Sequence, residues 1–150
     1  MKMKIYIQYI LLLLFCPLIS SSQTGNFFME IHQKSYTELF GYTYTIENKH
    51  LKVTQIRSDG KSNLVYKKKL NDRAIESIIS VVKQIEYFTL DSIYCKQMID
   101  GVLWKINISY DRKSKNVILE NFHLPEIDQL FEEINKYIRK GNLHIYLTAT

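Results

Sequence analysis

The chain has 150 residues, 46% of them hydrophobic, and carries 20 lysines and arginines against 15 acidic residues for a net charge of +5. A length of this order supports one hydrophobic core without staples, and a second domain is not expected. The charge is modest and, apart from Lys67-Lys68-Lys69, not gathered in one place, so nucleic acid is not an indicated partner.

The chain opens with Lys2 and Lys4, then an apolar run from Ile5 to Ile19, then Ser20-Ser21-Ser22. A basic head, a hydrophobic middle shorter than the ~20 residues that span a bilayer, and small residues at a cleavage point describe a secretory signal peptide over 1–22. Ser20 and Ser22 suit the two small pockets of signal peptidase, so cleavage is expected before Gln23, leaving an exported domain over 23–150, periplasmic or secreted and with no stable membrane span. The alternative is a lipoprotein acylated and anchored through Cys16. Phe15 opposes it, because lipoprotein signals place a small residue just before the cysteine. Loss of Lys2 and Lys4 leaves 18 basic residues against 15 acidic ones, a net charge of +3. It also leaves Cys95 as the sole thiol, with no internal disulfide: buried and inert, exposed and able to dimerise, or a nucleophile.

In the mature chain the apolar period switches between two and about three and a half, which separates strands from helices. Phe27 to His32 reads as an opening strand. Phe40, Tyr42, Tyr44 and Ile46 alternate with Gly41, Thr43 and Thr45, a strand with one buried face. After a turn at Asn48-Lys49, Leu51 and Val53 continue the pattern. Asp59-Gly60 marks a second turn, since glycine accepts the positive φ of tight hairpins, and Leu64 to Leu70 forms the next strand. Its Lys67-Lys68-Lys69 run reads as a solvated edge that discourages strand addition. Asn71 or Asp72 can cap a helix whose stripe is Ile75, Ile78, Ile79, Val82 and Ile85. Tyr87 to Met98 shows no period and reads as irregular. Asp100-Gly101 gives a turn, Trp104, Ile106, Ile108 and Tyr110 alternate with polar residues, Arg112 to Lys115 makes a polar turn, and Val117 to Phe122 returns as a hairpin partner. Pro125 suits the first turn of a helix that buries Ile127, Leu130, Phe131, Ile134 and Ile138 and that Gly141 ends. Leu143 to Leu147 is a short last strand or a loosely held tail.

The order ββββαββα with short links predicts a two-layer α+β domain: a mainly antiparallel sheet of about six strands with two helices packed on one face. The second strand-then-helix block, about the last third of the chain, carries a resemblance through Asp100-Gly101, Trp104, the polar turn before Val117, Asn121, Pro125 and Ile134-Asn135. In this layout it is similar to small exported proteins of unknown function from Bacteroidota. The resemblance implies an α+β domain outside the cytoplasm and brings no activity, ligand or catalytic residue with it.

The motifs of common chemistries are missing from the sequence: no zinc-helix His-Glu-x-x-His, no paired-cysteine site, no glycine-rich phosphate loop, no Gly-x-Ser-x-Gly turn. No catalytic, metal-binding or cofactor-binding residue is therefore assigned, and no cofactor is indicated. His32, His50, His123 and His144 are spread along the chain and read as surface residues or satisfied partners. The one nucleophile set to weigh is Cys95 with His123 and Asp100, because a thiol needs an imidazole to become thiolate and a carboxylate could orient that ring. The strand tyrosines Tyr42, Tyr44, Tyr66 and Tyr110 could stack on sugars, but they share the alternation phase of the core, as does Trp104. Asn107-Ile108-Ser109 matches a glycosylation sequon that would sit mid-strand. Two functions follow: an exported non-catalytic domain binding a protein or glycan partner at the cell envelope, or a small exported hydrolase-like enzyme whose site the sequence hides.

Overall fold

In the computed structural model the described residues are 26–36, 38–96 and 101–147. The expected signal peptide 1–22, with Cys16, and the cleavage point before Gln23 lie outside them, as does Asp100. Strands β1 (Phe28–Ser35), β2 (Phe40–Glu47), β3 (His50–Arg57) and β4 (Ser62–Lys69) lead into helix α1 (Asp72–Gln84). Strands β5 (Ile93–Cys95), β6 (Val102–Tyr110) and β7 (Lys113–Glu120) and helix α2 (Pro125–Asn135) follow. Among the described residues the strands make one seven-stranded sheet in the order β4-β3-β2-β1-β6-β7-β5. The α+β class and the predominance of antiparallel pairs agree with the sequence, while the expected six strands fall one short. The additional strand is β5, inside the stretch read as irregular, and it pairs in parallel with β7. Three residues are too few to display an alternation, and the partner that makes them a strand lies more than twenty positions away.

The hairpin turns form where residues accept a left-handed backbone. Asn48 and Lys49 both have positive φ, 48° and 60°, the two-residue turn whose twist matches that of antiparallel strands. Asp111 and Arg112, at 50° and 63°, build the same turn between β6 and β7, so this turn lies earlier than the predicted Arg112 to Lys115 and β7 begins at Lys113. Gly60, at φ 79°, closes the β3–β4 connection.

One face of the sheet and the apolar stripes of both helices form a single buried cluster. Met29 and Ile31, Tyr44 and Ile46, Leu51 and Val53, Trp104, Ile106 and Ile108, and Val117 and Leu119 supply the sheet side. All five stripe residues of α1 and all five predicted for α2 are buried against them. Asn71 caps α1, its Oδ1 accepting the Ala74 amide at 2.9 Å, and the indole of Trp104 packs 5.1 Å from the Phe131 ring of α2. Tyr87 is fully buried, and its hydroxyl donates to the Ile106 carbonyl at 2.7 Å, which satisfies the one polar atom it brings inside.

β4 departs from the simple alternation. A bulge at Val53/Thr54 sets Tyr66 opposite Val53 but Leu64 opposite Thr54, so the extra residue moves Leu64 to the uncovered face, where it is 57% exposed. β4 is an edge strand, as its lysine run suggested. Lys67 and Lys69 stand opposite Lys52 and His50, whereas Lys68 turns to the helix side and donates to the Tyr137 carbonyl at 3.1 Å.

α2 ends at Asn135, before the predicted stop at Gly141, which instead opens a short 3-10 turn. The tail that follows is neither a strand nor loose. Leu143, Ile145 and Leu147 are buried, and the Asn135 side chain holds both backbone groups of Ile145, accepting its amide at 2.8 Å and donating to its carbonyl at 2.7 Å.

Between the helices lies a buried carboxylate. Glu133 accepts hydrogen bonds from Ser77 Oγ at 2.7 Å, Tyr137 Oη at 3.0 Å and Lys136 Nζ at 2.5 Å. Burial alone would push this carboxyl up, but the bonds from Lys136, Ser77 and Tyr137 outweigh it and hold it below its ordinary value. A carboxyl depressed in the folded state stabilises at pH above its unfolded value, about 4.3, and loses that contribution as pH falls through the folded value. Urea unfolding of Glu133→Gln should therefore show a loss of about 1–2 kcal/mol at neutral pH, the size expected for a charge-assisted bond, shrinking below about pH 4. An unchanged difference across that range would show that the charge does not contribute.

Candidate functional site

Because strand side chains alternate, burying one face of the sheet leaves the other to solvent. This open face carries Glu30, His32 and Lys34 on β1, Thr43 and Thr45 on β2, Lys52 and Thr54 on β3, and Leu103, Lys105 and Asn107 on β6. His32 stands opposite both Thr43 and Lys105. Its Nε2 lies 3.0 Å from Glu30 Oε2 and its Nδ1 2.9 Å from Thr43 Oγ1, so the ring is held from two sides. An ionised carboxylate can only accept, which places a proton on Nε2; in the neutral ring Nδ1 then accepts from the threonine hydroxyl.

Beside His32 the face opens into a groove of about 590 Å³, in the size range of ligand sites. Its floor is bare backbone. Gly41 stands opposite Lys34 on one side and Ile56 on the other, and a Cβ there would lie 2.4 Å from the Gln33 carbonyl oxygen, so no side chain fits. Ile56 and Leu103 make apolar walls, Leu39 projects at the rim 77% exposed, and Lys34, Lys105 and Arg57 bring positive charge against a single lining acid among the described residues, Glu38. The arrangement can hold an extended or ring-shaped ligand against backbone, with apolar contact on its flanks and cations for an acidic group.

Of the strand tyrosines only Tyr42 borders this groove, and its ring packs beside Tyr44. Tyr44 is buried, and Tyr42, Tyr66 and Tyr110 pack against the core on the helix-covered side, so they offer no stacking platform on the open face. Asn107 is mid-strand on the open face, opposite Glu30 and Asn116.

The proposed nucleophile set does not assemble. Cys95 is exposed, not buried, and its Sγ lies 3.5 Å from Glu120 Oε2, while Tyr36 Oη donates to Glu120 Oε1 at 2.9 Å. Desolvation, then the hydrogen bond to Glu120 and its charge, push the thiol up, the reverse of what a nucleophile needs. His123 is engaged with a different acid, Asp128, at 3.0 Å. A thiol reagent should thus modify Cys95 in the native protein, more slowly than it modifies an unstructured thiol at the same pH, and Glu120→Gln should raise the rate several-fold by returning thiolate. Labelling faster than the unstructured standard would reverse this reading.

The other histidines are used locally. His50 Nδ1 lies 2.9 Å from the Asn48 carbonyl, and His144 contacts the Ile138 carbonyl at 2.8 Å and the Tyr146 hydroxyl at 3.0 Å. Among the described residues no group of three or more His, Cys, Asp or Glu side chains is placed to hold a metal ion. No helix among them is long and apolar enough to cross a membrane.

Sequence reasoning passed over the groove residues, although a signal was present: Ile56 and Leu103 are apolar residues in the solvent-facing phase of their strands. No protein-family model matches this chain, and no curated protein matches it.

Proposed function

We propose that the chain is an exported, non-catalytic domain that binds a protein or glycan partner at the cell envelope through the groove floored by Gly41. The reading rests on one observation, an uncovered sheet face whose groove combines bare backbone with apolar walls and charge of one dominant sign among the described residues. The composition of 1–22 supports export, and β1 starts only at Phe28, so removal of that segment before Gln23 would leave every strand among the described residues intact. The similarity of the last third to small exported Bacteroidota proteins points the same way.

Two measurements test this. The mass of the protein recovered outside the cytoplasm should correspond to a chain starting at Gln23, unmodified apart from cyclisation of that glutamine; added acyl mass on a chain starting at Cys16 would replace secretion with lipid attachment. For binding, a photo-crosslinking side chain at position 103 should capture an envelope protein or glycan, while one at Ser80, exposed on α1, should not. Lys34→Glu with Lys105→Glu should cut capture about ten-fold, equivalent to ~1.4 kcal/mol. Equal capture from both positions, or no effect of charge reversal, would refute the groove as the binding site.

A further inference from the structure

At the far edge of the sheet β5 covers only part of β7. Ile93, Tyr94 and Cys95 pair with Ile118, Leu119 and Glu120, and the Ile118 amide donates to the Ser92 carbonyl at 2.9 Å. Backbone groups point alternately to either side along a strand, so the amides and carbonyls of Asn116 and Ser114 face the same way as those of Ile118. That lane is vacant among the described residues: β5 stops short of it, and no backbone hydrogen bond from outside the sheet reaches those two residues. An open trough of about 920 Å³ lies along it.

We infer that this trough is a strand-addition site for an acidic, extended segment of another protein. The two sides of the lane specify the guest. Towards the helix layer stand Lys113 and Lys115, the first with its ammonium 6.0 Å from the centre of the Phe88 ring and the second 3.4 Å from the Phe88 carbonyl oxygen. Arg112 adds a third cation at the hairpin tip, and no acidic residue among the described residues lines the trough. Towards the open face stand Ile118 and Ile93, the latter 66% exposed. A strand lying in the lane would turn alternate side chains to these two surfaces, so the matching guest alternates acidic and apolar residues. A second copy of this chain pairing β7 to β7 would instead set the same cations against each other, which disfavours it.

The test uses a capped heptapeptide of alternating glutamate and valine, titrated into isotope-labelled exported protein while amide exchange is followed by NMR. Saturation should slow exchange of the Ser114 and Asn116 amides by at least about ten-fold, as hydrogen-bonded backbone requires. A lysine–valine peptide of the same length should have no such effect, and raising the salt should weaken binding. Lys113→Glu with Lys115→Glu should abolish protection, and Asn116→Pro, which removes an outward amide at an edge position that tolerates proline, should do the same while leaving the far-ultraviolet circular dichroism unchanged. If Asn116→Pro does not fold, the charge reversals still decide the matter. Equal binding of the lysine peptide, protection that misses Ser114 and Asn116, or protection in the free protein that rises with its concentration would each overturn the inference, the last by making a second copy the occupant.

Discussion

Trp104→Ala should lower the free energy of unfolding by about 3–5 kcal/mol, the range for deleting a large aromatic from a packed core. The indole is 3% exposed, lies in the central part of the sheet on β6, and contacts the Phe131 ring that anchors α2. Its removal takes away transfer energy and leaves a cavity between sheet and helix that neither rigid layer can close. Urea unfolding followed by circular dichroism measures the loss, since the chain's single tryptophan goes with the substitution. A stability of 5–15 kcal/mol is usual for a domain, so this one change removes a large share of it. Trp104→Phe, which retains a ring against Phe131, should cost much less. A loss below about 1 kcal/mol for the alanine variant would mean that the two layers are not held together at this point.

Asn135→Ala should come next, at about 2–4 kcal/mol, because it orphans two backbone groups at once. The amide and carbonyl of Ile145 each have the Asn135 side chain as partner, and the segment they belong to buries Leu143, Ile145 and Leu147. A buried peptide group without a partner costs the full desolvation of that group, which exceeds the net worth of the bond that satisfied it. Relief comes only if the tail leaves the surface, and that exposes its three apolar side chains. The variant should therefore show faster proteolysis after residue 140 together with a lower unfolding midpoint. Asn135→Asp is the informative companion: its carboxylate can accept the amide but cannot donate to the carbonyl, so its loss should fall between those of the wild type and the alanine variant. Unchanged protease sensitivity in the alanine variant would show that apolar burial alone holds the tail.

These two positions also show how differently sequence and structure speak. Trp104 was legible as a core anchor because β6 alternates without interruption, and alternation is a local property of the chain. Asn135 carried no such signal. Its role exists only because Ile145, ten positions on, returns to it across the end of α2. The same division holds elsewhere. The stripe of α1 and its Asn71 cap were readable, whereas the bulge that turns Leu64 outward depends on the register of β3 against β4. β5 owes its existence to β7.

The candidate site divides in the same way. Glu30, His32 and Lys105 could be assigned to a solvent-facing phase from their strands alone, since polar residues there need no partner, whereas Lys34 lay beyond the strand read as ending at His32. That His32, Lys34 and Lys105 line one groove follows from β1 lying between β2 and β6, a neighbourhood set by long-range pairing. Cys95 received Glu120 as its partner, and His123 received Asp128, by the same long-range placement.

The amino-acid order by itself determined the α+β class, the two helical stripes, six of the strands and the phase of those that alternate without interruption, because burial periodicity is written residue by residue. Only the tertiary structure decided which strands are neighbours, where Gly41 leaves bare backbone, which edge stays unpaired and which acid each titratable group meets. The physical reason is that periodicity acts over a few bonds, while pairing and partner choice arise between side chains that the folded sheet brings together from far along the chain.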